Sequence, residues 1–379
     1  MIEKQNLFEA RTNGYKTYRI PGMVSTGNNA VIVTTEARPG GGGDYDYNDV
    51  LMRRSTDGGR TFEPFVKLVD HADYSEGPVS NFVMIPDQDS GRVVAVFHHD
   101  YARAFTLYSD DDGATWSDPV EITHVFEEFK RDYPWRVCAN GCGRGLRLRN
   151  GRMLIPVWLS DGSGTEMGKH RGHRPSIVVS IYSDDRGATW QRGGIVCRHG
   201  ESVAGVPVIT PSETSAVELS DGRVLFNMRS ESESQRRLIA VSPDGDANWS
   251  GHRWDAALLD PVCMGSLLRY DWPAADRPGH ILFTNPDNLE RTMTRGNGRL
   301  INPPNCDRKR LTVKCSADDG RTWPVSKVIE EGPSGYSALA RLTDGTILCL
   351  YEADIVSGMC DDRYLRLARF DLDWLMAGE

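Results

Sequence analysis

Residues 109–116 read SDDDGATW, and this pattern decides the fold because the chain repeats it. Written as Ser-x-Asp-x-Gly-x-Thr-aromatic, it recurs as STDGGRTF (55–62), SDDRGATW (183–190) and SADDGRTW (316–323), with a degraded copy, SPDGDANW, at 242–249. Each copy follows a short strand-forming run, such as SIVVSIY before residue 183. We therefore expect each copy to be a turn in which the Asp and Ser side chains bind backbone amides and the aromatic ring packs beneath them.

A second repeat, a glycine turn followed by an apolar strand, occurs six times. The copies are TGNNAVIVTTEA (26–37), SGRVVAVFHH (90–99), NGRMLIPVWL (150–159), DGRVLFNMRS (221–230), PGHILFTNPD (278–287) and DGTILCLYEA (344–353). Their turn glycines are Gly27, Gly91, Gly151, Gly222, Gly279 and Gly345. The intervals of roughly 60 to 70 residues suit one four-stranded propeller blade with long loops. Because helical periodicity is scarce, the sequence predicts an all-β fold.

These repeats predict a single six-bladed β-propeller over residues 1–379. The C-terminal DRYLRLARFDLDWL (362–375) is expected to be a further strand. That strand would complete a blade begun by the N-terminal strands and so close the ring.

Composition excludes several partners. The formal net charge is -9 and no basic run or stripe occurs, which argues against nucleic acid and anionic membrane surfaces. No stretch of about 18 apolar residues occurs, and the start, MIEKQNLFEA, lacks a signal pattern. We expect a cytoplasmic chain, or a secreted or periplasmic one if a leader has been removed. The eight scattered cysteines are expected to be reduced, and the segment KHRGHRP with His170 and His173 is expected to be a polar loop, so we expect neither a metal nor an organic cofactor.

One hairpin carries an acid and a base near its open end. Ser220-Asp221-Gly222 is a turn signal between two strand-forming runs, so the chain is expected to fold back there. The fold sets Glu213 across from Arg229, give or take one position. A surface ion pair would explain the two charges, and so would half of an active site.

Equivalent places in different propeller repeats lie on the same rim. Glu213 and Tyr336 each lie nine residues before a turn glycine, and Arg19 lies eight residues before one. The loop that carries Arg38 and Asp44 returns to that same rim. These groups are therefore expected to meet near the propeller axis.

The residues also carry a family resemblance. The motif YRIPGM (18–23) resembles the Arg-Ile-Pro signature of sialidases, and the repeated turns resemble their Asp boxes. Similar segments follow in the same order along nearly the whole chain. The resemblance implies an arginine triad for the substrate carboxylate, a nucleophile, its base, an acid/base, and a further arginine that touches the carboxylate or orients the acid. The triad would be Arg19, Arg229 and Arg308, the nucleophile Tyr336, its base Glu213 and the acid/base Asp44. Arg38 would be the further arginine.

The implied roles are chemically reasonable. Three guanidinium forks suit a planar carboxylate, which lysine would bind only as a point charge. A sialic acid carries its carboxylate on the anomeric carbon, so a carboxylate nucleophile would approach against like charge, whereas tyrosine is neutral until Glu213 takes its proton. An acid at Asp44 calls for a raised pKa, and the preceding glycine run suits a hinge.

Some assignments stay open at this stage. Asp46 competes with Asp44 as the acid/base, and Arg310 competes with Arg308 because strand alternation lets only one face the channel. The alternative for Arg19 is a structural pair with Glu36.

The sequence also departs from the family pattern. Glycine replaces alanine at Gly22, phenylalanine replaces tryptophan at Phe62, and serine replaces asparagine at Ser212. The first two are expected to be harmless. Ser212 and the segment CANGCGRG (138–145) are expected to flank the pocket.

The sequence as a whole predicts a retaining exo-glycosidase of the sialidase type. Its substrate and partner would be a glycan with terminal sialic acid or a related ulosonic acid, and its oligomeric state is open. The alternatives are another ulosonic acid as substrate, transglycosylation or lyase-like release, and a glycan-binding propeller without catalysis.

Overall fold

Short antiparallel strands make up most of the computed structural model, which describes residues 1–141, 143–166, 168–295 and 297–377. Its strands are β1 (Glu3–Glu9), β2 (Thr17–Ser25), β3 (Val31–Arg38), β4 (Asp49–Ser55), β5 (Val66–Val69), β6 (Val79–Pro86), β7 (Val93–His99), β8 (Arg103–Ser109), β9 (Val120–Glu121), β10 (Val137–Asn140), β11 (Leu146–Arg147), β12 (Met153–Ser160), β13 (Thr165–Glu166), β14 (His170–Arg171), β15 (Ser176–Ser183), β16 (Gln191–Arg198), β17 (Ser202–Val203), β18 (Val206–Pro207), β19 (Thr214–Glu218), β20 (Val224–Met228), β21 (Arg236–Ser242), β22 (Ser250–Leu259), β23 (Ser266–Arg269), β24 (Ile281–Pro286), β25 (Lys309–Ser316), β26 (Val325–Arg341), β27 (Ile347–Ile355) and β28 (Asp362–Phe370). The helices are α1 (Thr123–Glu127), α2 (Leu372–Met376) and single 3₁₀ turns at His71–Asp73 and Glu128–Arg131.

The strands form antiparallel sheets in a propeller-like arrangement, so the predicted all-β class is confirmed. Three sheets have four strands in sequence order, β2 to β5, β6 to β9 and β19 to β22. A fourth has the order β10-β12-β15-β16 with β11 also paired to β12. The largest has the order β1-β28-β27-β26-β25-β24-β23, and β13-β14 and β17-β18 are small ribbons.

Hydrogen bonding joins two expected blades into the seven-stranded sheet. β26 is 17 residues long and pairs with β25 up to Pro333 and with β27 from Ser334 onward. β26 is therefore one continuous strand that pairs with β25 along its first part and with β27 along its second.

Both sequence repeats form the turns that were expected. All six glycine turns lie between strands that pair antiparallel, as Gly222 does between β19 and β20. In the box at residue 109, Ser109 Oγ accepts from Gly113 N at 2.8 Å and Asp111 Oδ1 accepts from Thr115 N at 2.8 Å. The ring of Trp190, from another box, is buried at 5% exposure.

The chain termini meet in one sheet, as predicted. β1 pairs with β28 from Glu3 with Arg369 to Glu9 with Tyr364. The expected strand is too long, however, because β28 ends at Phe370 and α2 follows. Asp371 starts this helix by accepting a hydrogen bond from Trp374 N, which satisfies a free amide of its first turn.

The core lies between neighbouring sheets. Along β7, Val93, Ala95 and Phe97 pack toward the β2 to β5 sheet, whereas Val94 and Val96 pack toward the sheet of β12 and β15. Successive side chains of a strand point to opposite faces, so both faces of this sheet are buried. This explains why the strands are apolar runs without alternation. Of the helices described, none is long and apolar enough to cross a membrane.

Gly22 in β2 gives a stability prediction. A Cβ atom at this position would lie 2.4 Å from Thr34 Oγ1, so the Thr34 side chain occupies the space of the alanine found in the family pattern. Gly22→Ala is therefore expected to lower the free energy of unfolding by about 1 to 3 kcal/mol. Thr34 Oγ1 is buried without a hydrogen-bond partner, so its removal makes room at little cost. Urea denaturation should show that Gly22→Ala/Thr34→Ala regains most of the loss, with Thr34→Ala alone as control. A fully stable Gly22→Ala single variant would contradict the prediction.

Candidate active site

A cavity of about 420 Å³ opens where the strands end opposite their glycine turns. All seven residues proposed from the sequence line it: Arg19, Arg38, Asp44, Glu213, Arg229, Arg308 and Tyr336. They come from β2, β3 and β26, from positions next to β19, β20 and β25, and, for Asp44, from the loop between β3 and β4. The structure thus brings together groups that lie up to 317 positions apart in the sequence, from Arg19 to Tyr336.

The hairpin of β19 and β20 places Glu213 opposite Arg229, as predicted. Thr214 pairs with Met228, and one step further Arg229 N donates to Glu213 O at 3.0 Å. Their side chains form an ion pair, in which Arg229 Nη1 donates to Glu213 Oε2. The pair lies in the cavity rather than on the outer surface.

Tyr336 is the third member of this hydrogen-bonded group. Its hydroxyl donates to Glu213 Oε1, and Arg229 Nη1 lies 2.7 Å from the same phenol oxygen. Burial raises the pKa of Glu213, but the charge of Arg229 and the Tyr336 hydrogen bond outweigh it and lower the pKa below its usual value. Glu213 is therefore an ionised carboxylate in contact with a phenol proton.

Arg19 does not form the structural pair with Glu36 that was the alternative to a functional role. The two residues are opposite in the backbone register, but Arg19 donates from Nε and Nη2 to both oxygens of Glu352, at 3.1 Å each. Its Nε also lies 3.2 Å from Asp362 Oδ2. Glu36 instead accepts from Arg38, at 2.6 Å from Nη2. The alternative pairing with Glu36 is not formed because Glu352 and Asp362, from another sheet, reach Arg19.

Glu352 was not identified from the sequence, although it organises the site. Besides Arg19, its carboxylate accepts from Ile20 N at 3.2 Å and from Tyr336 N at 2.9 Å. One buried acid thus fixes an arginine and the backbone of the tyrosine. A usable signal was the single charge in the apolar strand TILCLYEA.

Asp362, the first residue of β28, was also missed. Burial and the nearby charge of Glu352 raise the pKa of Asp362 to about 7, against the opposing effect of Arg19. The two carboxylates compete for one guanidinium.

Of Arg308 and Arg310, the structure places Arg308 at the cavity. Arg308 is 8% exposed and lines the cavity, whereas Arg310 is exposed. Arg308 Nη2 donates to Val262 O at 2.8 Å. No carboxylate in the described part of the chain forms a salt bridge with it, and the buried Nε atoms of Arg229 and Arg308 have no hydrogen-bond partner. The guanidinium carbons of Arg19 and Arg308 lie 5.2 and 5.1 Å from the centre of the Tyr336 ring.

Asp44, not Asp46, lines the cavity. Its Oδ1 accepts from Arg38 Nη1 at 2.6 Å, so Arg38 orients this acid, while Asp46 accepts from Gly43 N. The raised pKa is expected for the site closed over substrate, and the unliganded protein does not have it. Burial does raise the pKa of Asp44, but the positive charge of Arg38, with smaller effects of His173 and Arg19, holds it well below its usual value.

His173 also reaches the cavity, contrary to the expectation that KHRGHRP is only a polar loop. His173 Nδ1 lies 3.2 Å from Glu166 Oε2, and burial lowers the pKa of His173. The ligand atoms of Asp44, Glu166 and His173 lie within 4.8 Å of one another, so these side chains are the candidates in the cavity for holding a cation. His170 instead stacks on Tyr45 with ring centres 4.4 Å apart.

Ser212 and the segment CANGCGRG, both expected to flank the pocket, lie in different places relative to it. Ser212 lines it, and its N donates to Arg229 O at 2.9 Å. The described residues of CANGCGRG do not line it, and Arg144 of this segment lies in a second cavity. Cys142 falls outside the described residues. The segment lies behind the lining instead, where Asn140 Nδ2 donates to the backbone oxygen of the lining residue Asn81 at 3.0 Å.

Comparisons with known proteins identify a family and several chains of similar sequence or fold. Residues 39–349 match the family described as BNR repeat-like domain. The sialidase of Micromonospora viridifaciens is 30% identical over 99% of this chain, which spans 54% of that relative, or about half of its length. A Hadza microbial sialidase has a similar structure, with a TM-score of 0.78, 25% identity and coverage of 98% of this chain and 69% of that one. The intramolecular trans-sialidase of Ruminococcus gnavus has a TM-score of 0.72, 17% identity and coverage of 99% and 98%.

Proposed function

This chain belongs to the BNR repeat-like domain family, and we propose that it is a retaining exo-glycosidase that removes terminal sialic acid or a related 2-keto acid sugar from glycans. The observation that carries the proposal is the contact of one phenol, Tyr336, with an ionised Glu213 inside a pocket whose lining includes Arg19, Arg229 and Arg308.

The substrate carboxylate binds to Arg19, Arg229 and Arg308. Arg308 supports this assignment best, because it is a buried cation that donates to a backbone carbonyl and forms no salt bridge with any of the described carboxylates. A buried charge without a counter-charge is costly, and an incoming carboxylate supplies the missing one. The unpartnered Nε atoms of Arg229 and Arg308 add donors in the same region.

The reaction begins with attack by the Tyr336 oxygen on the anomeric carbon. Glu213 takes the phenol proton as the new bond forms and as the bond to the leaving oxygen breaks. The guanidinium groups of Arg19 and Arg308 beside the ring stabilise the developing phenolate charge. Water then attacks the anomeric carbon, the phenolate leaves, and Glu213 returns its proton. Two displacements at one carbon retain its configuration.

Asp44 protonates the leaving oxygen in the first step and takes a proton from water in the second. Its low pKa in the free protein comes mainly from Arg38. A bound sugar carboxylate places negative charge near Arg19 and excludes water, and both effects oppose ionisation of Asp44. The acid function is therefore acquired with substrate in place.

A leaving-group experiment tests the role of Asp44. In Asp44→Ala, we expect kcat/KM for an alkyl-linked sialoside to fall by about 10² to 10⁴-fold, because an alkoxide needs a proton to leave. For an aryl sialoside with an acidic phenol the fall should stay within about tenfold, because that leaving group needs little protonation. Asp46→Ala is the matched control and should leave both rates near the parent value. Equal losses for the two substrates would reject Asp44 as the acid.

We also propose that the propeller has six blades. The first half of β26 closes one blade after β23 to β25, and its second half begins the next with β27, β28 and β1. Each of these two blades has its own glycine turn, Gly279 in the first and Gly345 in the second. An experimental structure showing five blades would contradict the count.

Product analysis tests the function. Proton NMR of the reaction with a sialoside should show the α-anomer of the free sugar before mutarotation, as retention requires. The β-anomer first, a 2,7-anhydro sugar or a transfer product would identify inversion, intramolecular release or transglycosylation instead. A deaminated ulosonoside assayed in parallel decides between sugars. Absence of turnover on all substrates, together with no thermal stabilisation by an unsaturated sialic-acid analogue, would reject catalysis.

A further inference from the structure

A second cavity, of about 540 Å³, lies at the opposite ends of the strands that form the active site. β6 contributes Asn81 to the first cavity and Pro86 to the second, and β26 contributes Tyr336 and Arg341 in the same way. Five residues of extended strand put the two cavities roughly 17 Å apart. The second cavity is therefore a separate site on the glycine-turn face.

This cavity is strongly cationic in a chain of formal net charge -9. Its lining holds four arginines, Arg144, Arg269, Arg277 and Arg341, but a single acid, Asp271. Asp271 is bound by Arg277 Nη1 and by His280, so it neutralises none of the other three. Clefts lined by one sign of charge concentrate ions of the opposite sign.

Two of the arginines lack a carboxylate partner among the residues that the structure describes. The side chain of Arg144 donates only to the carbonyl of Gly145, at 3.3 Å, and burial lowers the pKa of Arg144 to about 10 with no nearby acid to oppose it. Arg341 lies over the Tyr270 ring at 4.9 Å, and its buried Nε has no hydrogen-bond partner. A desolvated guanidinium without a counter-charge is costly to keep.

Arg269 provides a third donor. Its side chain is 8% exposed, and Nη2 binds Glu218 O and Asp319, but Nη1 is buried without a partner. The guanidinium carbons of Arg149 and Arg269 lie 4.1 and 4.8 Å from the centre of the ring of the neighbouring Trp272. Because these two arginines cover the ring, it does not offer a stacking surface to a sugar. The unsatisfied groups of the cavity are cationic donors, which match an oxyanion.

From these contacts we propose that the second cavity binds an oxyanion, a carboxylate, sulfate or phosphate carried on a molecule of up to sugar size, between Arg144 and Arg341. This site would use Arg144 of the segment CANGCGRG, which does not line the first cavity. It is independent of the catalytic proposal, because none of its arginines lines the first cavity.

The test is calorimetric titration of the full chain with sodium sulfate, sodium phosphate and sodium glucuronate at constant ionic strength. Because the active-site arginines also attract anions, the titration is done with the Arg308→Met variant, in which anion binding to the first cavity is weaker. In that background Arg144→Gln/Arg341→Gln should weaken binding of the preferred probe at least tenfold. Which probe binds most tightly distinguishes a sulfate, a phosphate or a carboxylate source.

Arg277→Gln is the matched control, because Arg277 is 55% exposed and already paired with Asp271, and it should bind as the parent does. The single variants Arg144→Gln and Arg341→Gln, each expected to weaken binding, replace the double variant if that one does not fold. Introduced into the parent chain, which keeps Arg308, the substitutions at Arg144, Arg341 and Arg277 should leave turnover of a sialoside unchanged. No binding of any probe in the Arg308→Met protein, or binding that survives both single substitutions, would overturn the proposal.

Discussion

Tyr336→Phe is expected to lower kcat/KM for a sialoside by roughly 10⁴-fold or more, because the only atom removed is the one that attacks the anomeric carbon. The ring that remains keeps its place between the guanidinium groups of Arg19 and Arg308. The lost hydroxyl leaves Glu213 paired with Arg229, so the unfolding free energy should fall by only about 1 kcal/mol. Steady-state kinetics and urea denaturation on the same preparation separate the two effects.

Tyr351→Phe is the matched control for this substitution. Tyr351 lies in the same seven-stranded sheet, is fully buried, and its hydroxyl donates to Glu330 Oε2 at 3.0 Å, away from the active-site cavity. The Tyr351→Phe variant should lose a similar amount of unfolding free energy and keep nearly full turnover. If Tyr336→Phe retained turnover comparable to that of Tyr351→Phe, the tyrosyl intermediate would be excluded.

The features that the sequence predicted correctly follow from local rules or from repetition. The turn at Ser220-Asp221-Gly222 sets the register, so Glu213 falls opposite Arg229 whatever the rest of the chain does. Equal distances from a turn glycine put Glu213 and Tyr336 on one rim, because each repeat folds in the same way. Strand alternation limited the choice to Arg308 or Arg310 but did not decide it.

The features that the sequence missed depend on contacts between distant strands. Glu352 and Asp362 reach Arg19 from β27 and β28, more than 300 positions away, and no spacing rule relates them. The register did place Glu36 opposite Arg19, but Glu36 binds Arg38 because that pair lies on one strand.

For a related reason, the sequence did not predict the protonation of Asp44 in the free protein. A catalytic role suggests a raised pKa, but the state of the free protein is set by the arginine next to it. Function constrains the pKa with substrate bound, and the sequence contains no information on the difference between the two states.

Arg308→Met should separate activity from stability more sharply than any other change in the arginine triad. We expect kcat/KM to fall by roughly 10² to 10³-fold, because the substrate carboxylate loses a buried charged donor. The unfolding free energy should change by less than about 1 kcal/mol, because Arg308 has no carboxylate to leave unpaired.

Arg19→Met should behave differently although it serves the same carboxylate. It leaves Glu352, and with it Asp362, buried without a guanidinium, which is expected to cost about 3 kcal/mol of stability in addition to activity. Arg310→Met, two residues from Arg308 but exposed, should change neither quantity appreciably. The distinction rests on counter-charges: an arginine already paired in the free protein supports the fold, and one without a pair is available to the substrate. Equal stability losses for Arg308→Met and Arg19→Met would show that this division of roles is wrong.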